Sequence, residues 1–348
     1  MKLSTLHFLL LLPIFPLATA CRDAGPLEEV LLPPVDTSQV ADTTIVLDTL
    51  PSPRYLALDS TWSAIDSLWQ KLPEWAAVYE RPDKGAGFSA WAVVFDPSAD
   101  SADWRVQTTP VLKPLGKFWA DEPGSKLACI NATFFGSPNQ NFGLVIRDGQ
   151  LLSPNVQQVT RTFQGTPTAY YPTRAAMGME ADGQLSAYWT YTPPGSDSAY
   201  AYPSPAPNLE GSPPLERPGA GFPQGAFHWK PAQAVGGSPM LLRNGAVQIT
   251  AAEELITGSA VPSSSRPRSA MGFTEQGFVI LLVVQAPNNK GSSLPVLAGL
   301  LKSMGATDAM NLDGGGSSGL MVAGTRLVSS SDGTDRPIVS AIFLKKKN

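Results

Sequence analysis

Hairpin punctuation runs through this sequence and narrows its possible folds more than any other feature. "VIRDGQLL" carries Asp148-Gly149 and "MLLRNGAVQI" carries Asn244-Gly245. Both dipeptides accept the positive φ that tight hairpin turns require, so each marks two strands folding back on one another. "RAAMGMEADGQLSAYWTY" and "RSAMGFTEQGFVILLVV" share a further arrangement of Arg, small residues, Met-Gly, a turn and a strand, which sets Arg174 and Arg268 at comparable strand starts. "GFSAWAVVFDP" and "DWRVQTTPV" read as further strands. Helical periodicity is rarer. Leu294, Leu297, Leu301 and Met304 recur at helical spacing, Pro295 suits the opening turn and Gly305 can end it. "SAIDSLWQKLPEWAAVYE" offers a second amphipathic helix, broken near Pro73. The fold class expected is α+β: a single domain with a mixed, largely antiparallel sheet and few helices.

The 348 residues are ample for a hydrophobic core, but the first twenty do not belong to it. Lys2 precedes the apolar stretch "LHFLLLLPIFPLATA", interrupted by Pro13 and Pro16, and small residues lead into Cys21. Residues 1–20 read as an export signal rather than a spanning helix. Residues 21–50 read as a tether that becomes ordered near "TTIVLD", and residues 51–348 as the domain. "ATAC" resembles a bacterial lipobox, with Ala18 where such motifs usually carry Leu. Lipidation of Cys21, with membrane attachment through that lipid, is the first reading; ordinary secretion and a retained anchor are the others. A bacterial periplasm or outer membrane is the expected location. Cys129, the only other cysteine, sits in "LACINATFF" as a buried small hydrophobe, which excludes a disulfide-stapled fold. With 25 basic and 29 acidic residues the chain lacks the surplus positive charge of a nucleic-acid binder.

From Thr192 to Phe227 the pattern dissolves into Pro, Gly and Ser. Such a segment reads as an insertion or the rim of a binding site.

Chemistry concentrates in "NLDGGGSSGLM", where one carboxylate stands against three consecutive glycines and two hydroxyls. A tight turn, a ligand cradle or both would explain it. "DAMNLD" reads as a short strand delivering Asp313 to its end, and alternation places Asn311 and Asp313 on one face. Gly314 and Gly315 keep that face open, and Ser317 can donate or accept beside it. The spaced glycines and Lys-Ser/Thr pair of a nucleotide loop are missing. Arginines grip phosphate better than a lone hydroxyl does, because their planar donors reach two oxygens at once; Arg174 and Arg268 are the candidates. Arg336 reads as the anchor of the Asp332 to Asp335 turn. Asn131, in "INATFFG", reads as a cleft or buried amide. His228, the only histidine outside the leader, is a candidate proton donor or acceptor, or a packing residue. One such histidine and no clustered cysteines leave no zinc set, and no cofactor is expected.

"INATFFGSPNQNFGLVIRDGQL", "GGSPMLLRNGAV", "RPRSAMGF", "ATDAMNLDGGGSSGLMVAG" and "SDGTDRPIVSAIFL" together resemble the phosphodiester glycosidase family over residues 91–344. Members commonly show Asn-Gly-Gly-Phe-Phe where this chain has Asn131-Ala132-Thr133-Phe134-Phe135, so the departure fills glycine positions while keeping the amide and both rings. The resemblance implies cleavage of the sugar C1–O bond of a glycosyl phosphodiester. Carried over residue by residue, it points to Asn131, Arg174, Gly236, Gly237, Arg268, Asn311, Asp313 and Ser317. Asp313 is the expected principal carboxylate, since a departing phosphate monoester needs little acid assistance. The expected partner is a glycosyl phosphodiester or cell-envelope glycan. A hydrolase of another envelope glycan, a noncatalytic carbohydrate-binding protein and a structural envelope module remain the other readings.

Overall fold

The hairpins assemble into three large antiparallel sheets. The computed structural model describes residues 56, 58–136, 138–257 and 261–347, all within one unit, Leu50–Asn348. The expected leader, the Cys21 lipidation site and the 21–50 tether lie outside the described residues.

The first sheet has eight strands in the order Ser63–Ala64, Ala76–Arg81, Ser89–Phe95, Val279–Gln285, Arg268–Thr274, Ala306–Asn311, Met240–Arg243, Ala246–Val247. Its strand "VILLVVQ" is apolar without alternation because both faces are covered. Ile280, Leu282 and Val284 pack with Leu294, Leu297 and Leu301 of the helix Leu294–Ser303, while Leu281 and Val283 face the shared core. That helix starts where expected: Ser293 caps it by accepting from the Val296 amide at 3.4 Å, and Gly305, at φ +87°, ends it.

A seven-stranded sheet runs Phe227–Trp229, Ala199–Tyr202, Leu185–Tyr191, Arg174–Met179, Gln233–Gly236, Val145–Arg147, Gln150–Ser153. A five-stranded sheet runs Thr325–Val328, Leu320–Val322, Ser125–Asn131, Ile338–Lys346, Ala102–Lys113. One buried cluster joins all three, with Leu281 and Met310 of the first, Met177 and Trp189 of the second, Ile130 and Ile342 of the third. In the five-stranded sheet Lys345 and Glu122 form an ion pair at 2.5 Å, their side chains only 9% and 5% exposed, and Gln107 donates to the same carboxylate at 2.8 Å. Cys129 is wholly buried beside Met321 and Phe343, and burial pushes its thiol far above the usual range.

Sequence and structure differ at three points. Strands hold 44% of the described residues and helices 8%, so the fold is more β-dominated than α+β suggests. The sheets are not mixed: every strand pairing among the described residues is antiparallel. The helix does carry the chain from Val279–Gln285 back to Ala306–Asn311 in the same direction, as a parallel crossover would, but Arg268–Thr274 lies between those two strands and pairs with both. Second, only Asp66–Trp69 of the expected N-terminal helix is helical; Ala76–Arg81 pairs with Ser89–Phe95, and its small residues Ala76 and Ala77 are buried on opposite faces of the sheet. Third, the Pro- and Gly-rich insertion is partly ordered, since Ala199–Tyr202 pairs with Phe227–Trp229 at the edge of the seven-stranded sheet.

Candidate active site

Asp313 follows the strand Ala306–Asn311 by two residues, beyond the regular alternation expected of it. Its backbone is fixed from the five-stranded sheet: the Asp313 amide donates to Ala132 O at 2.9 Å, and Asn131 Nδ2 donates to Asp313 O at 2.6 Å. Asn131 Oδ1 in turn accepts from Ser269 Oγ at 2.7 Å and from the Gly319 amide at 3.2 Å. One buried amide thus ties two sheets and both ends of the glycine turn.

Each glycine of that turn has its own reason. A Cβ on Gly314 would stand 2.8 Å from Pro267 O, so the chain can pass there only without one. Gly315 sits at φ +61°, a conformation costly for other residues. A Cβ on Gly316 would collide with the carboxylate of Asp332, which Arg336 holds at 2.5 Å. Arg336 therefore anchors its turn as expected, and it is also the arginine whose charge acts on Asp313.

The Asp313 carboxyl is half-buried and accepts from the Gly314 amide at 2.9 Å. Burial pushes its pKa up to about 6, against the opposing pull of Ser317, the Gly314 amide and Arg336. Although the Ser317 hydroxyl is near enough to pull on the acid, it completes no full hydrogen bond. Asn311 spends its amide on Ser238 O at 2.8 Å and leaves Oδ1 buried without a partner. Buried polar atoms are nearly always paired, so these are positions open to a ligand or water.

Near this turn lies a cleft of about 770 Å³, lined among others by Phe134, Asn155, Arg161, Arg174, Gly237 and Ser238, with Asp313 itself outside the lining. The Ser238 amide donates to Asn311 O at 2.7 Å, and Ala132, two positions before Phe134, holds the Asp313 amide. Asp313 is thus connected to the cleft wall on two sides. Arg174 reaches Ser238 Oγ at 3.1 Å and keeps its Nε buried and unpaired. Its pKa falls to about 10, chiefly through burial, with Glu254 opposing and the like charge of Arg161 adding to the drop. Gly236 and Gly237 are close-packing positions: a Cβ on the first would strike Asn155, one on the second Asn311 O.

Arg268 adjoins the turn through its backbone, where Pro267 O accepts from the Gly315 amide and Ser269 O from the Leu312 amide, each at 2.8 Å, and only its side chain points elsewhere; His228 stands apart. Arg268 shares its strand face with Ala270 and Gly272, toward the helix, whereas its neighbour Ser269 faces Asn131. Its guanidinium donates to Ser264 O and Oγ, each at 2.8 Å, and to Ser292 O at 3.3 Å, and burial lowers its pKa to about 10. His228 lies exposed on an edge strand against Tyr200, with ring centroids 4.4 Å apart, and lines a different cleft. Among the described residues no group of three or more His, Cys, Asp or Glu side chains is placed to hold a metal ion.

Sequence reading missed Glu254. It is fully buried and accepts from Ala175 N, Trp189 Nε1, Ser238 Oγ, Met240 N and Thr250 Oγ1 at 2.5 to 3.1 Å, which places a negative charge behind Arg174 and Ser238. Nothing in "AAEELITG" separates it from a surface acid. Arg161 was missed as well, although the amide-rich "NVQQVTR" leading to it was a readable sign of a polar wall.

No curated protein matches the chain significantly. Among solved structures it resembles a hypothetical protein from Synechocystis at 20% identity and a TM-score of 0.53, over 79% of this chain and 62% of that one. The chain thus spans less than two thirds of that relative. It also resembles the zebrafish N-acetylglucosamine-1-phosphodiester alpha-N-acetylglucosaminidase catalytic domain, auto-inhibited by its pro-peptide, at 18% identity and 0.50, over 85% and 87%. A putative exported protein from Burkholderia pseudomallei K96243 matches at 16% identity and 0.48, over 74% of each chain. At these identities the first two structures speak for the fold. The sequence model of the phosphodiester glycosidase domain matches residues 126–345, a span that holds the Asn131 strand, the Arg174 cleft and the Asp313 turn, and the chain belongs to the phosphodiester glycosidase family of enzymes.

Proposed function

We propose that this protein hydrolyses the sugar C1–O bond of a glycosyl phosphodiester, with Asp313 as the base. One observation carries the reading: a single half-buried carboxyl, poised near pKa 6 on a backbone that two sheets hold rigid, beside a cleft whose cations suit an anionic group. A base works best when its pKa lies just below the working pH. Asp313 takes a proton from water, the water oxygen bonds to C1, and the C1–O electron pair leaves with the phosphate monoester. Arg174, backed by Glu254 and flanked by Arg161, steadies the charge that gathers on that leaving group. No second carboxylic acid is needed, because phosphate departs as a stable anion.

Turnover of a glycosyl phosphodiester panel in oxygen-18 water tests this. Label in the sugar and none in the phosphate is the expected result. Label in the phosphate would make the enzyme a phosphodiesterase. Tight glycan binding without turnover, unchanged in Asp313→Asn, would make it a binding protein.

We infer an exported setting from the leader, with lipid on Cys21. Intact mass of the membrane-fraction protein should show residues 1–20 removed and a lipid added; a soluble product beginning elsewhere rules the lipid out.

A further inference from the structure

The strand Arg174–Met179 carries the candidate active-site cleft at its start and a second cleft at its end. At about 3.3 Å per residue the two lie roughly 20 Å apart. Other strands do the same: Ser238 and Arg243 bracket Met240–Arg243, and Ser269 and Phe273 lie toward opposite ends of Arg268–Thr274. The second cleft encloses about 520 Å³.

Its walls combine two kinds of surface. Tyr188, Phe227 and Trp229 form an edge-to-face group with ring centroids 5.1 and 5.7 Å apart, and Phe227 remains 40% exposed. Around them stand charged groups already held in place. Glu180 Oε1 accepts from Trp229 Nε1 and Ser186 Oγ, each at 2.7 Å. Arg243 lies over the Tyr188 ring at 5.5 Å and pairs with Asp308 at 2.6 Å, leaving its buried Nε without a partner. The acids Glu180 and Asp308 balance Lys230 and Arg243 along the lining, so the cleft offers strong donors and acceptors with little net field. Such a balance gives a charged ligand no net field of either sign to draw it in. A ligand with an apolar face and a rim of hydroxyls gains from both surfaces.

We propose that this cleft binds an uncharged oligosaccharide, apart from the candidate active site. Sugar C–H faces pack on Phe227 and Tyr188, and hydroxyls bond to Glu180, Asp308 and the free Arg243 N–H.

Saturation-transfer NMR on the intact protein tests it, with a panel of neutral hexose and N-acetylhexosamine oligosaccharides beside sulfated counterparts. The expected result is binding of a neutral member, weakened about tenfold in Phe227→Ala and in Glu180→Gln, which is roughly 1.4 kcal/mol each. Phe227 is exposed, so its removal should leave the thermal midpoint and the turnover of a small soluble glycosyl phosphodiester unchanged. Three results would overturn the proposal: no neutral member binding, binding restricted to the sulfated members, or both variants binding as tightly as the parent.

Discussion

Asp313 has two consequences that pull in opposite directions. Its folded pKa of about 6 exceeds the ordinary value of 3.8, so between those values the folded protein holds the proton more tightly than the unfolded chain. Stability is therefore greatest at acid pH as far as this group is concerned, and its share is lost as pH rises through that window. Asp313→Asn keeps the shape and removes the ionisation. It should raise stability at pH 7.5 by roughly 1–3 kcal/mol, a gain that vanishes below about pH 4, as read by urea unfolding at both values. The same variant should lose about a hundredfold or more in kcat/KM, and the parent's kcat/KM should fall as pH drops below about 6. A variant that is slower without being more stable at neutral pH would mean the carboxyl is not desolvated in the fold. Asp313 and Asn131 were legible because a bare turn and an amide in an apolar run are unusual for their surroundings. Glu254 was not, since its five partners come from four separate stretches of chain that only the fold brings together.

At the scale of elements, the hairpins and the helix Leu294–Ser303 could be read because their determinants are local: a turn dipeptide, a capping serine, a closing glycine. Ala76–Arg81 was misread because "LPEWAAVYE" suits helix locally, and only pairing with Ser89–Phe95 and burial on both faces decide otherwise. The strand Ile338–Lys346 is similarly decided at long range, lying between Ser125–Asn131 and Ala102–Lys113. Its pair Lys345–Glu122 is nearly sealed from water. Lys345→Met should cost about 3–5 kcal/mol, because it removes the cation paired with the buried Glu122 carboxylate and leaves it the hydrogen bond from Gln107. Adding Glu122→Gln should restore most of the loss. Urea midpoints of the single and double variants measure this, and equal losses in both would show that packing rather than charge is responsible.

Across the whole molecule, the shared core beneath three sheets was the least legible feature, since apolar runs do not say which sheet they join. The strand Ser125–Asn131 covers that core with one face and turns Cys129 into a separate buried cluster on the other, where its thiol is held far above its usual pKa. A thiol in this condition is chemically silent until the sheet around it opens. In a Cys21→Ser variant it becomes a clock. Modification by a fast maleimide should proceed at a rate independent of reagent concentration, set by how often the molecule unfolds, and should accelerate in Lys345→Met; a rate that instead rises in proportion to reagent would mean that the opening closes again faster than the reagent acts. One sulfur atom would then time, molecule by molecule, how long the folded state lasts.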